Sequence, residues 1–155
     1  MKLQRIISGG QTGVDRAALD VARLLKIDHG GWCPAGRRAE DGRIPEEYNL
    51  RETREEDYSV RTQRNVADSD GTLILFSPPL SGGTAFTLKC ARQLHKSCRI
   101  VNLDTPDHPA EIWKWIAKNE IKVLNVAGPR ESQRPGIYDR ARTYLEALLK
   151  PRSPR

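Results

Sequence analysis

The chain has 155 residues, 37% of them hydrophobic, and 26 Lys and Arg against 20 Asp and Glu give a net charge of +6. That length suits one domain with its own core, expected over 1–149, and no apolar run is long enough to span a bilayer. Cys33, Cys90 and Cys98 are odd in number and far apart, and His29, His95 and His108 are scattered, so neither a disulfide framework nor a zinc site is expected.

The opening residues lead straight into a strand and carry no signal-peptide pattern, which makes a cytoplasmic protein with reduced thiols the expectation. That strand, Ile6-Ile7, breaks at Ser8-Gly9-Gly10-Gln11-Thr12-Gly13. A helix then starts, with Val14, Ala17, Ala18, Val21, Leu24 and Leu25 on one face. The first turn of a helix has unpaired N–H groups and a partial positive charge, and glycine lets a phosphate approach the backbone. The segment therefore reads as an anion-binding device, with the Ser8 or Thr12 hydroxyl as an added donor.

A short second strand is expected over 30–33. Residues 34–57 are rich in Arg, Glu, Gly and Pro without periodicity, so a long irregular excursion is expected. It is either a lid carrying Arg37, Arg38 and Arg43 or a solvated surface. A helix is expected over 58–67, and 72–76 is the clearest strand, a continuous apolar run of the kind a central parallel strand needs. Ser81-Gly82-Gly83-Thr84 then opens a helix to about residue 95, with Ala85, Leu88, Ala91 and Leu94 as its buried stripe. A strand over 99–103 precedes a helix that begins near Pro109, in which Trp113 and Trp115 read as core residues beside Ile112 and Ile116. The last strand, 122–126, leads into Gly128-Pro129-Arg130-Glu131-Ser132 and a closing helix with Tyr138, Ala141, Leu145 and Leu148 on one face. The basic, Pro-rich tail 150–155 is expected to be disordered.

This alternation predicts a Rossmann-like three-layer α/β sandwich with a mostly parallel sheet of about five strands. Ligands in such sheets bind beyond the carboxyl ends of the strands, which puts the loops 8–13, 34–38, 81–84 and 128–132 on one rim. The candidate phosphate-binding set is Ser8, Gly9, Gly10, Gln11, Thr12, Gly13, Ser81, Gly82, Gly83, Thr84, Gly128 and Arg130. NAD and FAD are not expected, because Cys33-Pro34 stands where a ribose-binding acid belongs, and no Gly-Lys-Ser/Thr closes either loop as a nucleotide triphosphatase requires. Asp15 either stabilises its own helix or acts on a ligand or water, and Glu131 is either a rim group or half of a surface ion pair with Arg130. No aromatic residues interleave a purely basic face, so nucleic acid is not an expected partner.

Three stretches together carry a resemblance: Ile6-Ile7-Ser8-Gly9-Gly10-Gln11-Thr12-Gly13-Val14-Asp15-Arg16-Ala17-Ala18, Leu80-Ser81-Gly82-Gly83-Thr84, and Asn125-Val126-Ala127-Gly128-Pro129-Arg130-Glu131-Ser132. The chain resembles the putative molybdenum carrier family over 3–149. That family is related to the lysine-decarboxylase-like phosphoribohydrolases and to DNA-processing protein A, and its members look like circular permutations of that nucleotide-binding fold. The resemblance implies a small phosphorylated ligand, molybdenum cofactor (molybdopterin) by the family name, carried in a homo-oligomer and passed to a recipient molybdoenzyme. The alternatives are a nucleoside-phosphate hydrolase and a nucleotide-sensing module. The phosphoribohydrolases carry P-G-G-x-G-T-x-x-E; matching Gly83-Thr84 to its G-T puts Thr87 in place of the glutamate, so hydrolysis would need Asp15 or Glu131 instead.

Overall fold

A computed structural model describes residues 3–151; most of the tail 150–155 therefore lies outside the described residues. In chain order the first half holds β1 (Arg5–Ile7), α1 (Val14–Leu24), β2 (Asp28–Gly30), β3 (Trp32–Cys33), β4 (Arg38–Ala39), β5 (Gly42–Arg43) and β6 (Arg51–Glu52). The second half holds α2 (Tyr58–Asp68), β7 (Gly71–Phe76), α3 (Gly82–Gln93), β8 (Ser97–Asn102), α4 (Pro109–Lys118), β9 (Val123–Ala127) and α5 (Ile137–Leu149).

The central sheet has five parallel strands in the order β2-β1-β9-β7-β8. The apolar run of β7 is explained by its place: Leu73, Ile74 and Leu75 are fully buried between helices on both faces. On one face α1, α4 and α5 share a core with the sheet, where Ala17, Ala18 and Ala22 let α5 pack closely on α1. Trp113 and Trp115 pack against this core, their indole N–H groups donating to Leu148 O and Ser97 Oγ. On the other face α2 and α3 pack together through Val66, Cys90 and Ala91. The layers are those of a Rossmann-like sandwich.

Three expectations need correction. The strand expected over 30–33 is broken at Gly31, which takes φ +127; a Cβ there would lie 2.4 Å from Ser8 O. Residues before the bend join the central sheet as β2, and those after it pair with β6 as a separate two-stranded ribbon. The buried stripe of α3 is Thr84, Thr87, Cys90 and Ala91, about one residue round from the one expected, and Leu94 is exposed. Leu24, the last residue of α1, is likewise exposed, at 56%.

The excursion 34–57 is ordered around a buried cation. Arg37 donates from Nε to Ile44 O (3.0 Å), from Nη1 to Leu50 O (3.2 Å) and from Nη2 to Pro45 O (2.8 Å) and Tyr48 O (2.9 Å). A planar five-donor fork can gather carbonyls that point in different directions, which an ammonium cannot do. Around this fork Ile44, Tyr48 and Leu50 close on Leu19 of α1 and on Cys33, forming a second small core. Asp20 of α1 then accepts from both the Tyr48 hydroxyl (2.5 Å) and the Tyr138 hydroxyl, tying the loop and α5 to the same helix. The segment is a built part of the fold.

Replacing Arg37 by Met should lower stability by about 3 kcal/mol or more, since it strands buried carbonyls that a charged donor now serves. Arg37→Lys should recover little of that loss. Urea unfolding of both variants measures it; a loss below about 1 kcal/mol would mean that the loop carbonyls find other partners.

Candidate functional site

A cleft of about 310 Å³ opens where the carboxyl ends of β1 and β9 meet the starts of α2 and α3. That size lies at the lower end of small-molecule sites, which run from about 300 Å³ upward. Gly9, Gln11 and Asp15 come from the β1–α1 segment, and Gly82, Gly83, Thr84, Phe86 and Thr87 from α3. The β9 end adds Asn125 and Gly128, with Arg130 beyond it, and α2 adds Tyr58, Arg61, Thr62 and Asn65. The cleft follows the switch-point rule for parallel sheets.

The two glycine loops differ in kind. In the first, several backbone N–H groups are used inside the protein: Gln11 N donates to Asp15 Oδ2 (3.3 Å), Thr12 N to Gln11 Oε1 (3.0 Å) and Val14 N to Pro129 O (3.2 Å), while those of Gly9, Gly10 and Gly13 have no acceptor among the described residues. Its glycines make room for neighbours. A Cβ at Gly10 would lie 2.6 Å from Leu50 Cδ1, and one at Gly13 2.3 Å from Pro129 O. The hydroxyls are also engaged, with Ser8 Oγ donating to Val126 O (2.6 Å) and Thr12 Oγ1 accepting from Glu131 N (3.1 Å).

The second loop is open. Ser81 makes no side-chain cap, and the N–H groups of Gly82, Gly83 and Thr84 have no acceptor among the described residues. A Cβ at Gly83 would meet nothing within 4 Å, and Gly82 takes φ +57. A 12-residue helix thus presents its free amino end to the cleft, the arrangement that attracts an oxyanion. Across the cleft Arg130 has its Nε buried without a hydrogen-bond partner, the nearest carboxylate oxygen being Glu40 Oε1 at 3.8 Å.

The floor of the cleft holds a buried acid and base. Asp15 is 6% exposed and Arg61 9%. Arg61 Nη1 donates to Gly9 O (2.7 Å) and stands 3.7 Å from Asp15 Oδ2, while its guanidinium lies over the Tyr58 ring. Burial pushes the Asp15 carboxyl above its ordinary range, and the Arg61 charge and the Gln11 N–H only partly offset this. Thr87 also lines the cleft, but its hydroxyl donates to Gly83 O within its own helix (2.9 Å).

Several other candidates stand elsewhere. Arg37 is spent on its own loop, and Arg38 and Arg43 are exposed, paired with Glu56 and Glu46. Glu131 accepts from Gly136 N (2.5 Å) and Tyr138 N (3.0 Å), which makes it the cap of α5 and turns it away from the cleft. Ser81 faces a smaller neighbouring hollow. Cys33 is buried in the second core, where desolvation raises its thiol pKa. Arg61 and Asn65 of α2 were not foreseen. Their signal was a polar pair one turn apart on a helix with few apolar residues, yet packed against a sheet.

The family model described as "Circularly permutated YpsA SLOG family" matches residues 6–149. A crystal structure of a protein named putative molybdenum carrier protein, from Syntrophus aciditrophicus SB, is 47% identical, with 95% of each chain covered and a TM-score of 0.91. A comparison with curated proteins gave no match.

Because the folded-state pKa of Asp15 is raised, its contribution to stability is greatest below the unfolded carboxyl pKa of about 3.9 and is lost as pH rises through the folded value. Asp15→Asn keeps an acceptor for the Gln11 N–H without the buried charge. It should melt higher than the parent at neutral pH, and the difference should vanish as the pH approaches about 4. A variant that melts lower at neutral pH would show that the Arg61 attraction outweighs desolvation.

Proposed function

The chain belongs to the circularly permutated YpsA SLOG family, and from that premise we propose that its cleft binds a small phosphorylated ligand. Its 47% identical relative is named a putative molybdenum carrier protein, which supports reading that ligand as molybdenum cofactor or a similar phosphorylated pterin or nucleotide. The observation that carries the reading is the uncapped amino end of α3, whose Gly82, Gly83 and Thr84 N–H groups lack acceptors among the described residues. Arg130, with its unsatisfied buried Nε, is the matching cation across the cleft.

The residues fit such a ligand in part by part. The phosphate would take the α3 N–H groups and Arg130, and a flat ring would lie along Tyr58 and Phe86. Gln11, Asp15 and Asn65 offer polar partners to its edge. No group of three or more His, Cys, Asp or Glu side chains sits together among the described residues, so contact with a molybdopterin would run through its phosphate and ring. When bound, the cofactor supplies the metal and its redox chemistry, and the protein shields and presents it. A cytoplasmic homo-oligomer that hands the ligand to a molybdoenzyme completes this reading.

One observation favours a second reading. Asp15 shares the cleft with Thr87, the residue aligned with the glutamate of the phosphoribohydrolases, so a carboxylate is available from another helix. A nucleoside-phosphate hydrolase of this design would release base or phosphate from nucleoside monophosphates and lose that turnover in Asp15→Asn.

Native mass spectrometry of freshly purified protein, with metal analysis of the same sample, tests the carrier. A pterin-sized adduct with near-stoichiometric molybdenum is expected, and Gly83→Val should lose it while folding normally, because a side chain there meets only open space. A nucleotide-sized adduct without metal would move the assignment to the hydrolase or a sensor. An adduct retained unchanged in Gly83→Val would remove α3 from the site.

A further inference from the structure

The strand-rim cleft uses the start of α2, but the other end of that helix borders a second hollow. Asp68, the last residue of α2, lines a concavity of about 260 Å³ together with Arg5, Trp32, Asn49 and Arg51. Arg64, one turn earlier on α2, holds its guanidinium carbon 4.8 Å from the Trp32 ring centre, and Arg51 holds its own at 6.0 Å. The Asp68 carboxylate is engaged by the Trp32 indole N–H at 2.8 Å.

Arg5 is the built element of this hollow. Its guanidinium lies in the notch left by Gly30, where a Cβ would fall 2.1 Å from Nη2. Its Nε is buried without a hydrogen-bond partner, and the nearest carboxylate oxygen, Asp28 Oδ2, is 3.8 Å away on a side chain that is 71% exposed. An exposed ion pair at that distance contributes little and yields readily to a better acceptor. The Trp32 backbone is held by α2, where Asn65 accepts from Trp32 N (2.8 Å) and donates to Trp32 O (3.0 Å), and Asp68 of the same helix holds its indole. Two guanidinium groups, Arg51 and Arg64, therefore stack on one anchored indole, and Arg5, with its orphaned donor, lines the same hollow as Arg51 and Trp32.

We propose that this hollow is a second anion site, separate from the cleft, for a small and multiply charged oxyanion of the pyrophosphate or phosphate-ester class. Arginine forks match the oxygens of phosphate in pairs, and an acceptor here would satisfy Arg5 Nε. Nucleic-acid backbone carries the same chemistry, but a concavity of about 260 Å³ suits a compact ligand over a continuous strand.

Inorganic pyrophosphate titrated into the full-length, ¹⁵N-labelled protein tests this. The Trp32 indole N–H signal should shift saturably while those of Trp113 and Trp115, on the opposite layer, stay in place. Arg51 is exposed on an edge ribbon, so Arg51→Ala should fold normally and weaken binding about tenfold or more, in line with the loss of one charged hydrogen-bonding partner. Gly83→Val should leave this affinity unchanged, which separates the hollow from the cleft. An indole signal that does not saturate, or an affinity unchanged by Arg51→Ala, overturns the site. Displacement of pyrophosphate by a short single-stranded oligonucleotide would overturn the small-ligand assignment.

Discussion

A Cβ at Gly13 would lie 2.3 Å from the carbonyl oxygen of Pro129, and the sandwich closes as it does because none is there. That contact joins the first loop of the chain to the last. Val14 N donates to Pro129 O, Thr12 Oγ1 accepts from Glu131 N, and Glu131 in turn caps α5. The same loop receives Arg61 at Gly9 O and Arg16 at Gly10 O. The first and last loops, α1, α2 and α5 are thus tied together through residues 8–13. These ties place Asp15, Gln11 and Gly9 along one side of the cleft.

The division of labour between the two glycine loops follows from what surrounds them. A backbone N–H can serve either the protein or a ligand, and the first loop has given several of its donors to the protein. The amino end of α3 has kept its own. The first loop therefore holds α1 against the end of β9, while the amino end of α3 stands open at the cleft. Asp15 and Arg61 sit between these two roles. A buried carboxylate costs free energy that a guanidinium 3.7 Å away only partly returns, and a carboxyl shifted in this way inside a cleft marks a candidate site.

The architecture was legible in the sequence because it rests on local signals. Continuous apolar strands such as Leu73-Ile74-Leu75 and small-residue helix faces such as Ala17-Ala18 report burial whatever lies opposite them. What escaped depends on long-range partners. Whether Gly10 admits a phosphate or a leucine depends on Leu50, forty residues away, and sequence spacing contains nothing about that contact. Arg37 looks like a ligand clamp in a polar segment until four carbonyls of its own loop converge on it. Arg61 is the opposite case: nothing in its helix, which has few apolar residues, singles it out, and burial makes it the floor of the cleft. Gly31 was hidden by its neighbours, since a bend within Gly30-Gly31-Trp32-Cys33 becomes visible only when Ser8 is placed beneath it.

The strand order adds a constraint on when the cleft can exist. β9 is the last strand in the chain, yet it lies between β1 and β7 and supplies Asn125, Gly128 and the approach to Arg130. β1 has no other partner on that side, so the first and last strands must find each other before the sheet is continuous. Pairing at that sequence separation carries a large loop-closure cost that is recovered only when the whole sheet assembles. A cleft made this way cannot be half present: loss of β9 removes one wall, splits the sheet between β1 and β7, and withdraws the Pro129 carbonyl that seats the first turn of α1. A ligand of the proposed kind would therefore stabilise the sheet at its most costly junction, because the strand that completes the fold is also a wall of the cleft.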